Sequence, residues 1–330
     1  MSSMPAKSFG PNAAAGFSLV RSDGQSIDEE FGREAVEDSS WTMEQIVDAA
    51  GELAALPHVV LRLIQMTGAP SVTATDLEKV ILTDQAVAAR VLALANSAYF
   101  GLPRKVFFVR EAVVFLGFKT VRNLAMTVNA INMFLGKSDA VSASRAQLWR
   151  HSLDVALSAR MVAEFLHKND IADISAEEAF TAGLLHDIGK MVLDLAMPTQ
   201  YLSAARLVAQ QGVRFTDVED KLFPFRHGAV GAALAARWNL PPALCDALEF
   251  HHTPALAQVD PQLVAVIALG NDLADYLTRL CDGPEQINET TPALYGEACE
   301  MLSLPEKALP ELILSCRADM EKAAALHGCL

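Results

Sequence analysis

Apolar residues recur at every third or fourth position through most of this chain, the spacing that places them on one face of an α-helix. Between Trp41 and residue 136 two stripes are long, and both stop at a glycine or a polar turn. Their members are Val87, Val91, Leu94 and Ala95, and then Val121, Leu124, Ala125, Val128, Ile131 and Leu135. This half of the chain therefore predicts a helical bundle.

The ends of these repeats carry residues that favour helix termini. Thr73 followed by Asp76 is typical of an N-cap with an acidic third position, Asp84 can cap the next helix, and Pro57 suits a first helical turn. The stretch Ala112 to Leu116 should stop at the glycine that follows it. The motif Asn96-Ser-Ala-Tyr-Phe-Gly101 predicts a tight helix end in which the asparagine bonds the backbone of a neighbouring loop.

A second helical set follows the polar residues 137–146 and is predicted to begin at about Ala146. Two pairs are spaced like capping boxes, Ser175 with Glu178 and Thr216 with Glu219, and the first should open a helix that runs through His186 and Asp187. Pro224 and then Pro241-Pro242 mark further helix boundaries. The inward stripes are Leu148, His151, Val155, Ala159 and Val162, then His227, Val230, Gly231, Leu234, Ala235 and Trp238, then Leu244, Leu248 and His251, and then Val264, Ala268 and Asp272.

These patterns divide the chain into four parts. Residues 1–40 are rich in Ser, Gly, Ala and acidic residues and predict a disordered leader. Residues 41–136 predict an N-terminal helical subdomain, residues 137–282 a helical core, and residues 283–330 a C-terminal helical extension. The expected fold class is all-α.

Composition and charge narrow the classes of function. Hydrophobic residues make up 52% of the chain and aromatic residues only 7%, which favours packed helices over a β-sandwich. The net charge of −14 disfavours direct binding to nucleic acid or an anionic membrane. The five cysteines are odd in number and widely spaced, which indicates a reducing, cytoplasmic setting. No apolar run approaches the roughly 18 residues that a membrane span requires.

One motif places charged and imidazole side chains inside an apolar run, Gly183-Leu-Leu-His-Asp-Ile-Gly-Lys190. Burying such groups costs free energy unless a partner or a metal satisfies them. Five of the eight histidines fall within about a hundred residues, and several lie on inward stripes. Because a helical bundle brings inward side chains of different helices together, we expect a site for one or two divalent ions, Fe, Mn, Zn or Ni. The candidate ligands are His151, His186, Asp187, His227, His251, His252 and Asp272.

Two alternatives stand beside this prediction. A single inward histidine is more often a hydrogen-bonded core residue than a metal ligand, and for His151 alone that interpretation comes first. Lys190 lies close enough to the His-Asp pair to hold an anionic substrate, which would give it a catalytic role if the protein is an enzyme. A solvated charge at a helix end explains Lys190 equally well.

The order His151, His186-Asp187, Asp272 resembles the HD superfamily of metal-dependent phosphohydrolases. The whole set of motifs looks like an HDOD domain, the HD-related output domain of bacterial signalling proteins, over about Trp41 to Leu280. The motifs are Leu56-Pro57, Ile81-Leu-Thr-Asp84, Asn96-Ser-Ala-Tyr-Phe-Gly101, Ala112-Val-Val-Phe-Leu-Gly117, Phe180-Thr-Ala-Gly-Leu-Leu-His-Asp-Ile-Gly189, His227-Gly-Ala-Val-Gly231, Trp238-Asn-Leu-Pro241 and His251-His252.

The resemblance implies an HD-like bundle in which His151, His186, Asp187 and Asp272 occupy ligand positions. His227 and His251-His252 stand where phosphodiesterases that cleave cyclic di-GMP place further ligands. Two features depart from those enzymes. Thr253-Pro254-Ala255 follows the histidine pair in place of a Gly-Tyr-Pro motif, and Pro224 to Arg226 replace the usual glycine-containing approach to His227.

The resemblance also implies a function. HDOD domains are regarded as regulatory outputs, so we expect a bacterial signal-transduction module that works through a signalling protein or a nucleotide and possesses a metal site. The alternative is an active phosphohydrolase or phosphodiesterase acting on a nucleotide or cyclic dinucleotide. A third interpretation is a metal-free scaffold whose histidines bond one another inside the core.

Overall fold

A computed structural model of the chain describes residues 41–51, 59, 62–63, 66, 72–97, 100–125, 142–282 and 296–327. All regular structure in these ranges is helical, which confirms the predicted all-α class. The leader, the helix expected after Pro57 and the stripe beyond Ala125 lie wholly or mostly outside these ranges. The helices before residue 117 are α1 (Met43–Ala49), α2 (Ala74–Ile81), α3 (Gln85–Ala95) and α4 (Val109–Leu116), and residues 118–125 are also helical.

The second set of helices is longer and carries most of the buried polar residues. It comprises α5 (Ser142–Lys168), α6 (Ala176–Leu185), α7 (Ile188–Ala196), α8 (Pro198–Gln211), α9 (Phe215–Leu222), α10 (His227–Arg237), α11 (Pro242–Phe250), α12 (Pro261–Asp282), α13 (Glu297–Met301) and α14 (Leu309–His327), with short 3-10 turns at Pro254–Leu256 and Glu306–Ala308.

Three predicted helix ends in the N-terminal set fall within the described residues and are confirmed. The Thr73 hydroxyl accepts the backbone N–H of Asp76, whose carboxylate accepts the backbone N–H of Thr73 in return. Asp84 Oδ1 accepts the N–H of Val87 at the start of α3. Helix α4 ends at Gly117, whose φ of 86° is a conformation that glycine adopts readily.

Asn96 ties the end of α3 to the loop that leads into α4. Its side-chain amide donates to the carbonyl oxygens of Leu92 and Val106, each at 2.8 Å, and its Oδ1 accepts the N–H of Val106 at 2.7 Å. The asparagine therefore satisfies both backbone groups of a loop residue ten positions away, as its motif predicts.

Helix α5 is the central element of the core, and α6, α12 and α14 pack along it. Its approach to α6 is close: a Cβ on Gly183 would lie 2.8 Å from Ala156 Cα, so the two backbones touch where glycine stands. Arg160 on α5 pairs with Asp319 on α14 at 2.6 Å, and this ion pair attaches the C-terminal extension to the core. In the part of the chain that the structure describes, no helix combines the length and apolarity needed to cross a bilayer.

Three local expectations were wrong. Helix α5 begins at Ser142 and not at about Ala146, because a helix can include small polar residues near its start. Thr216 does not cap α9: the N-cap is Arg214, two residues earlier, and its N–H is bonded to Asp217. Ser175 accepts the N–H of Glu178, but α6 then ends at Leu185, before the His-Asp pair.

Candidate metal centre

His186 and Asp187 lie at the junction between α6 and α7. Asp187 has φ −99° and ψ 10°, outside the helical values, and the chain resumes helical geometry at Ile188. Both side chains are completely buried. The break in the helix turns these two neighbouring residues toward the same interior point, whereas successive residues of one continuous helix point about 100° apart.

The Asp187 carboxylate is the centre of the cluster, and its two oxygens face different histidines. Oδ2 lies 3.3 Å from His186 Nε2 and 3.5 Å from His151 Nε2. Oδ1 lies 3.1 Å from His227 Nε2 and 3.7 Å from His251 Nε2. Four imidazoles from the α5, α6, α10 and α11 segments therefore present the same ring nitrogen to one carboxylate.

Hydrogen bonds on the far side of two rings fix this orientation. His186 Nδ1 lies 2.7 Å from the carbonyl oxygen of Gly183, and His251 Nδ1 lies 2.8 Å from that of Leu248. A carbonyl oxygen only accepts, so each Nδ1 carries the proton and each Nε2 presents a lone pair to the centre. Burial lowers the pKa of His251 to about 3, which keeps this ring neutral. A neutral imidazole is the form that binds metal ions.

The charges around Asp187 favour its ionised form. Burial alone raises the pKa of this carboxyl, but neighbouring groups, among them the Lys190 ammonium, hold the pKa well below its usual range. Lys190 Nζ lies 2.7 Å from Asp187 Oδ2 and 5.2 Å from the centre of the Phe215 ring. Lys190 is therefore engaged at the cluster, and the interpretation of this side chain as a solvated charge is wrong.

Buried ligand atoms without hydrogen-bond partners test whether the residues fit a metal ion. His186 Nε2 and Asp187 Oδ1 are both inaccessible to water and make no hydrogen bond of acceptable geometry. His227 Nε2 and His251 Nε2 lie 3.1 Å apart, a distance at which two lone pairs repel unless a proton or a cation stands between them. Each of these features disappears if a cation shares the ligands.

Two sets of ligand atoms converge closely enough to hold ions, and both include Asp187. One set is His151, His186 and Asp187, and the other is Asp187, His227, His251 and His252. Mixed imidazole and carboxylate ligands suit Fe, Mn, Zn or Ni. Six of the seven residues predicted as ligands therefore stand together.

Asp272, the seventh predicted ligand, belongs to neither set. It lies on α12 in the wall of an adjoining cavity, where it reaches solvent, and the preceding residue, Asn271, is the buried one. Partial burial in the cavity wall and the negative charge of Asp275 raise the pKa of Asp272 to about 6. Asp275 Oδ1 lies 3.4 Å from His151 Nδ1, so the acidic neighbour of the histidines on this helix is one turn further along.

A cavity of about 520 Å³ opens beside the cluster. Asp187, His151 and His252 reach it from the cluster, and Lys190, Arg214 and Tyr201 line its other sides. A second cavity of about 340 Å³ is lined by His251 and His252 and shares Arg214 and Asp272 with the first. The cluster is therefore largely buried but has an approach from solvent.

Sequence reasoning missed the residue that contacts His227 from outside the cluster. Glu219, on α9, is completely buried, and its Oε1 lies 2.8 Å from His227 Nδ1. Burial lowers the pKa of His227, but Glu219 and Asp187 raise it by more. The only signal in the sequence was the spacing of Glu219 from Thr216, which was interpreted as a cap. The burial of Asn271 was also not predicted, because Asp272, the acidic residue that follows it, was taken as the inward one.

Comparison with known proteins agrees with this architecture. The family described as HDOD domain matches residues 53–254, more than half of the chain. An uncharacterized protein of Treponema pallidum (strain Nichols) is 28% identical over 227 residues, which cover 68% of this chain and 43% of the relative. The chain thus spans less than half the length of that curated relative.

Two crystal structures share the fold. An HDOD domain protein of unknown function from Geobacter sulfurreducens is 26% identical with a TM-score of 0.71, covering 88% of this chain and 99% of the other. A protein from Shewanella amazonensis SB2B, provisionally described as a phosphohydrolase, is 24% identical with a TM-score of 0.67, covering 86% of this chain and 100% of the other. The second likeness bears on the fold alone.

Proposed function

Since this chain belongs to the HDOD domain family, we propose that it is a regulatory module that binds one or two divalent metal ions and works through a protein or nucleotide partner. The proposed ligands are His151, His186 and Asp187 for one ion and Asp187, His227, His251 and His252 for the other. We place its action in bacterial signal transduction in the cytoplasm, in keeping with the resemblance and with cysteines too few and scattered for a disulfide framework.

The observation that carries the metal proposal is the arrangement around Asp187. A fully buried carboxylate has an imidazole Nε2 facing each of its oxygens, and two of the rings are held by carbonyl oxygens in the tautomer that leaves Nε2 unprotonated. His186 Nε2 and Asp187 Oδ1 are buried without hydrogen-bond partners, and a cation between them would satisfy both atoms. When bound, a divalent ion at this place would supply Lewis acidity and an acidic water ligand.

A regulatory role is favoured by the contacts on the cavity side. Lys190 is already bonded to Asp187 and stacked near Phe215, so it is not held ready for an incoming phosphate. Asp272 and Asp275 place acidic groups on the same wall, and these would oppose an anionic reactant. The cavity is nevertheless large enough for a nucleotide-sized ligand.

Metal analysis of the purified protein tests the proposal. We expect the wild type to retain one or two equivalents of a transition metal after dialysis, and Asp187→Ala to retain less than a tenth of that amount. Asp173→Ala is the matched control, because it removes an aspartate that is 93% exposed and pairs with His167 at the surface. A wild type that carries no metal after exposure to Mn, Fe, Zn and Ni salts would end the metal-binding proposal.

The second candidate is a metal-dependent phosphohydrolase acting on a nucleotide or cyclic dinucleotide. It is favoured by the cavity that meets Asp187 directly and places Lys190 and Arg214 along its wall. If the protein is an enzyme, Lys190 would help to hold the anionic substrate. Turnover of a panel of nucleotides and cyclic dinucleotides by metal-loaded wild type, compared with Asp187→Ala, decides between the candidates: equal rates for the two proteins would remove the enzymatic candidate.

A further inference from the structure

Helix α9 runs beside the metal centre and touches it through two side chains. Phe215 lies in the first turn of α9. The centre of its ring is 6.0 Å from the centre of the His227 ring, and the two rings meet edge to face. Glu219, one turn later, contacts His227 through its carboxylate. None of the α9 side chains belongs to either set of converging ligand atoms, so this helix acts on the centre from outside it.

One oxygen of Glu219 makes both of its contacts with His227. Oε1 accepts the backbone N–H of His227 at 2.6 Å and stands 2.8 Å from the ring atom Nδ1. The backbone bond fixes the carboxylate against the first residue of α10, where an N–H has no partner within the helix. The same oxygen is thereby positioned to accept the ring proton of that residue.

Three histidine rings of the cluster have a hydrogen-bond acceptor at Nδ1, the nitrogen that points away from the centre. The acceptor of His227 is of a different kind from the other two. His186 and His251 donate Nδ1–H to carbonyl oxygens three residues earlier in their own segments, an arrangement that the helical backbone provides locally. His227 is the first residue of its helix, and the residue three before it is Pro224, in the approach to α10. Its acceptor is the carboxylate of Glu219, eight residues earlier and on another helix.

We infer that Glu219 is the positioning residue of the metal centre: by accepting Nδ1–H and the backbone N–H of His227, it holds a ring proton on Nδ1 and directs Nε2 at the site. A ring held by a carboxylate also becomes a more basic ligand, and loss of such a carboxylate commonly weakens metal binding by about 10- to 100-fold. This inference rests on the proposed metal-binding function for its effect on affinity, but its effect on the ring tautomer does not require a metal.

Substitutions at Glu219 separate the effect of its hydrogen-bond acceptor from the effect of its negative charge. Glu219→Ala removes the acceptor, and we expect the dissociation constant for Mn²⁺, measured by the loss of the free-ion electron paramagnetic resonance signal, to rise by about 10- to 100-fold. Glu219→Gln keeps an oxygen that can accept both N–H groups, so it should recover much of the affinity. Asp220→Asn is the matched control, since it removes an acidic charge from the next position of α9, where the side chain is exposed and pairs with Arg226. This control should bind as the wild type does.

Nitrogen-15 spectra of the histidine rings in chelator-treated protein provide the second readout. In the wild type and in Asp220→Asn, Nδ1 of His227 should carry a proton, whereas in Glu219→Ala Nδ1 should lose it and the ring should be protonated at Nε2, which faces Asp187. If Glu219→Ala does not fold, Glu219→Gln carries the test, with a smaller loss of affinity and a weakened Nδ1–H bond as the expected result.

The two readouts also separate failure of this inference from failure of the proposed function. A wild type without affinity for Mn²⁺ but with the tautomer controlled by Glu219 would overturn metal binding and leave the positioning role standing. Glu219 variants with unchanged tautomer and unchanged Mn²⁺ affinity would overturn the positioning role.

Discussion

Gly189 and His227 meet backbone to backbone. A Cβ placed on Gly189 would lie only 1.9 Å from the carbonyl oxygen of His227, so any side chain at this position collides with the first turn of α10. Gly189 is the second residue of α7 and stands two positions after Asp187. The absence of a side chain here therefore allows α7 and α10 to approach closely enough for Asp187 and His227 to share one centre.

The first prediction concerns this contact. Gly189→Ala should destabilise the protein by about 3 kcal/mol, at the upper end of the usual cost of overpacking, because neither backbone can move independently of its helix. It should also reduce the retained metal, since separating α7 from α10 draws His227 away from Asp187. Chemical denaturation and metal analysis measure the two effects.

Gly296→Ala is the control for Gly189→Ala. A Cβ at Gly296 would meet nothing within 4 Å, and its φ of −135° suits any residue. This variant should have the stability and metal content of the wild type. Wild-type metal content in Gly189→Ala would contradict the role assigned to the close contact.

A second prediction concerns Asn96 in the N-terminal subdomain. Asn96→Ala removes the acceptor of the Val106 N–H and the donor to the Val106 carbonyl, and we expect a loss of about 2 to 4 kcal/mol in the free energy of unfolding of the part that contains α3 and α4. The change should appear as faster hydrogen exchange at Val106.

The metal content of Asn96→Ala serves as its internal control. Asn96 contributes to neither set of converging ligand atoms, so the folded variant should retain as much metal as the wild type. A combined loss of metal and of protection at Val106 would show that the two parts of the chain unfold together.

The third prediction concerns Asp246, which holds the segment after the histidine pair. Its Oδ2 accepts the backbone N–H groups of Gln258 at 2.9 Å, Val259 at 2.8 Å and Asp260 at 3.4 Å. Asp246→Ala leaves these partly buried donors without their acceptor and should lower the free energy of unfolding by about 1 to 3 kcal/mol. Asp246→Asn keeps an oxygen acceptor and should lose less, and a comparison of melting temperatures of the two variants measures the difference.

The fourth prediction concerns competition between Lys190 and the metal. The Lys190 ammonium binds the Asp187 oxygen that faces His151 and His186, so a cation entering that set must displace it or tolerate its charge. Lys190→Met should therefore bind Mn²⁺ about tenfold more tightly, equivalent to about 1.4 kcal/mol, while the metal-free variant should be less stable than the wild type.

Lys168→Met is the matched control for Lys190→Met, because Lys168 is 76% exposed and lies far along α5 from His151. Titration calorimetry should give the same affinity for this variant as for the wild type. Weaker Mn²⁺ binding in Lys190→Met would mean that Lys190 supports the site instead of competing for it.

The fifth prediction concerns metal removal. Chelation should lower the melting temperature of the wild type, because a ligand that binds only the folded state stabilises it by about 2.7 kcal/mol at a hundred times its dissociation constant. Asp187→Ala should show no response to the chelator. Equal melting temperatures of the wild type with and without chelator would contradict metal binding by the folded protein.

Much of the fold was determined by local sequence patterns. The spacing of apolar residues specified helices, and short-range chemistry specified many of their ends: Thr73 and Asp84 bond backbone groups within three residues, and Gly117 stops α4. Such bonds can be read from sequence because both partners lie within one turn. The choice of histidines also followed from pattern, since His227 and His251 lie on stripes whose inward face is apolar.

Tertiary structure decided which polar groups meet across helices. No spacing rule connects Glu219 with His227, because their contact depends on the path that the chain takes through Pro224 between α9 and α10. Packing between helices also decided the position of Asp272. An apolar stripe about 100° wide does not show which of two successive residues at its edge will face the core. The orientation of α12 about its axis buried Asn271 and left Asp272 outside the cluster. The sequence by itself determined a helical bundle with inward histidines and an aspartate at its centre. The orientation of each ring, the carboxylate behind His227 and the close contact of Gly189 were decided only when the helices packed, because each depends on distances between segments that are remote in the chain.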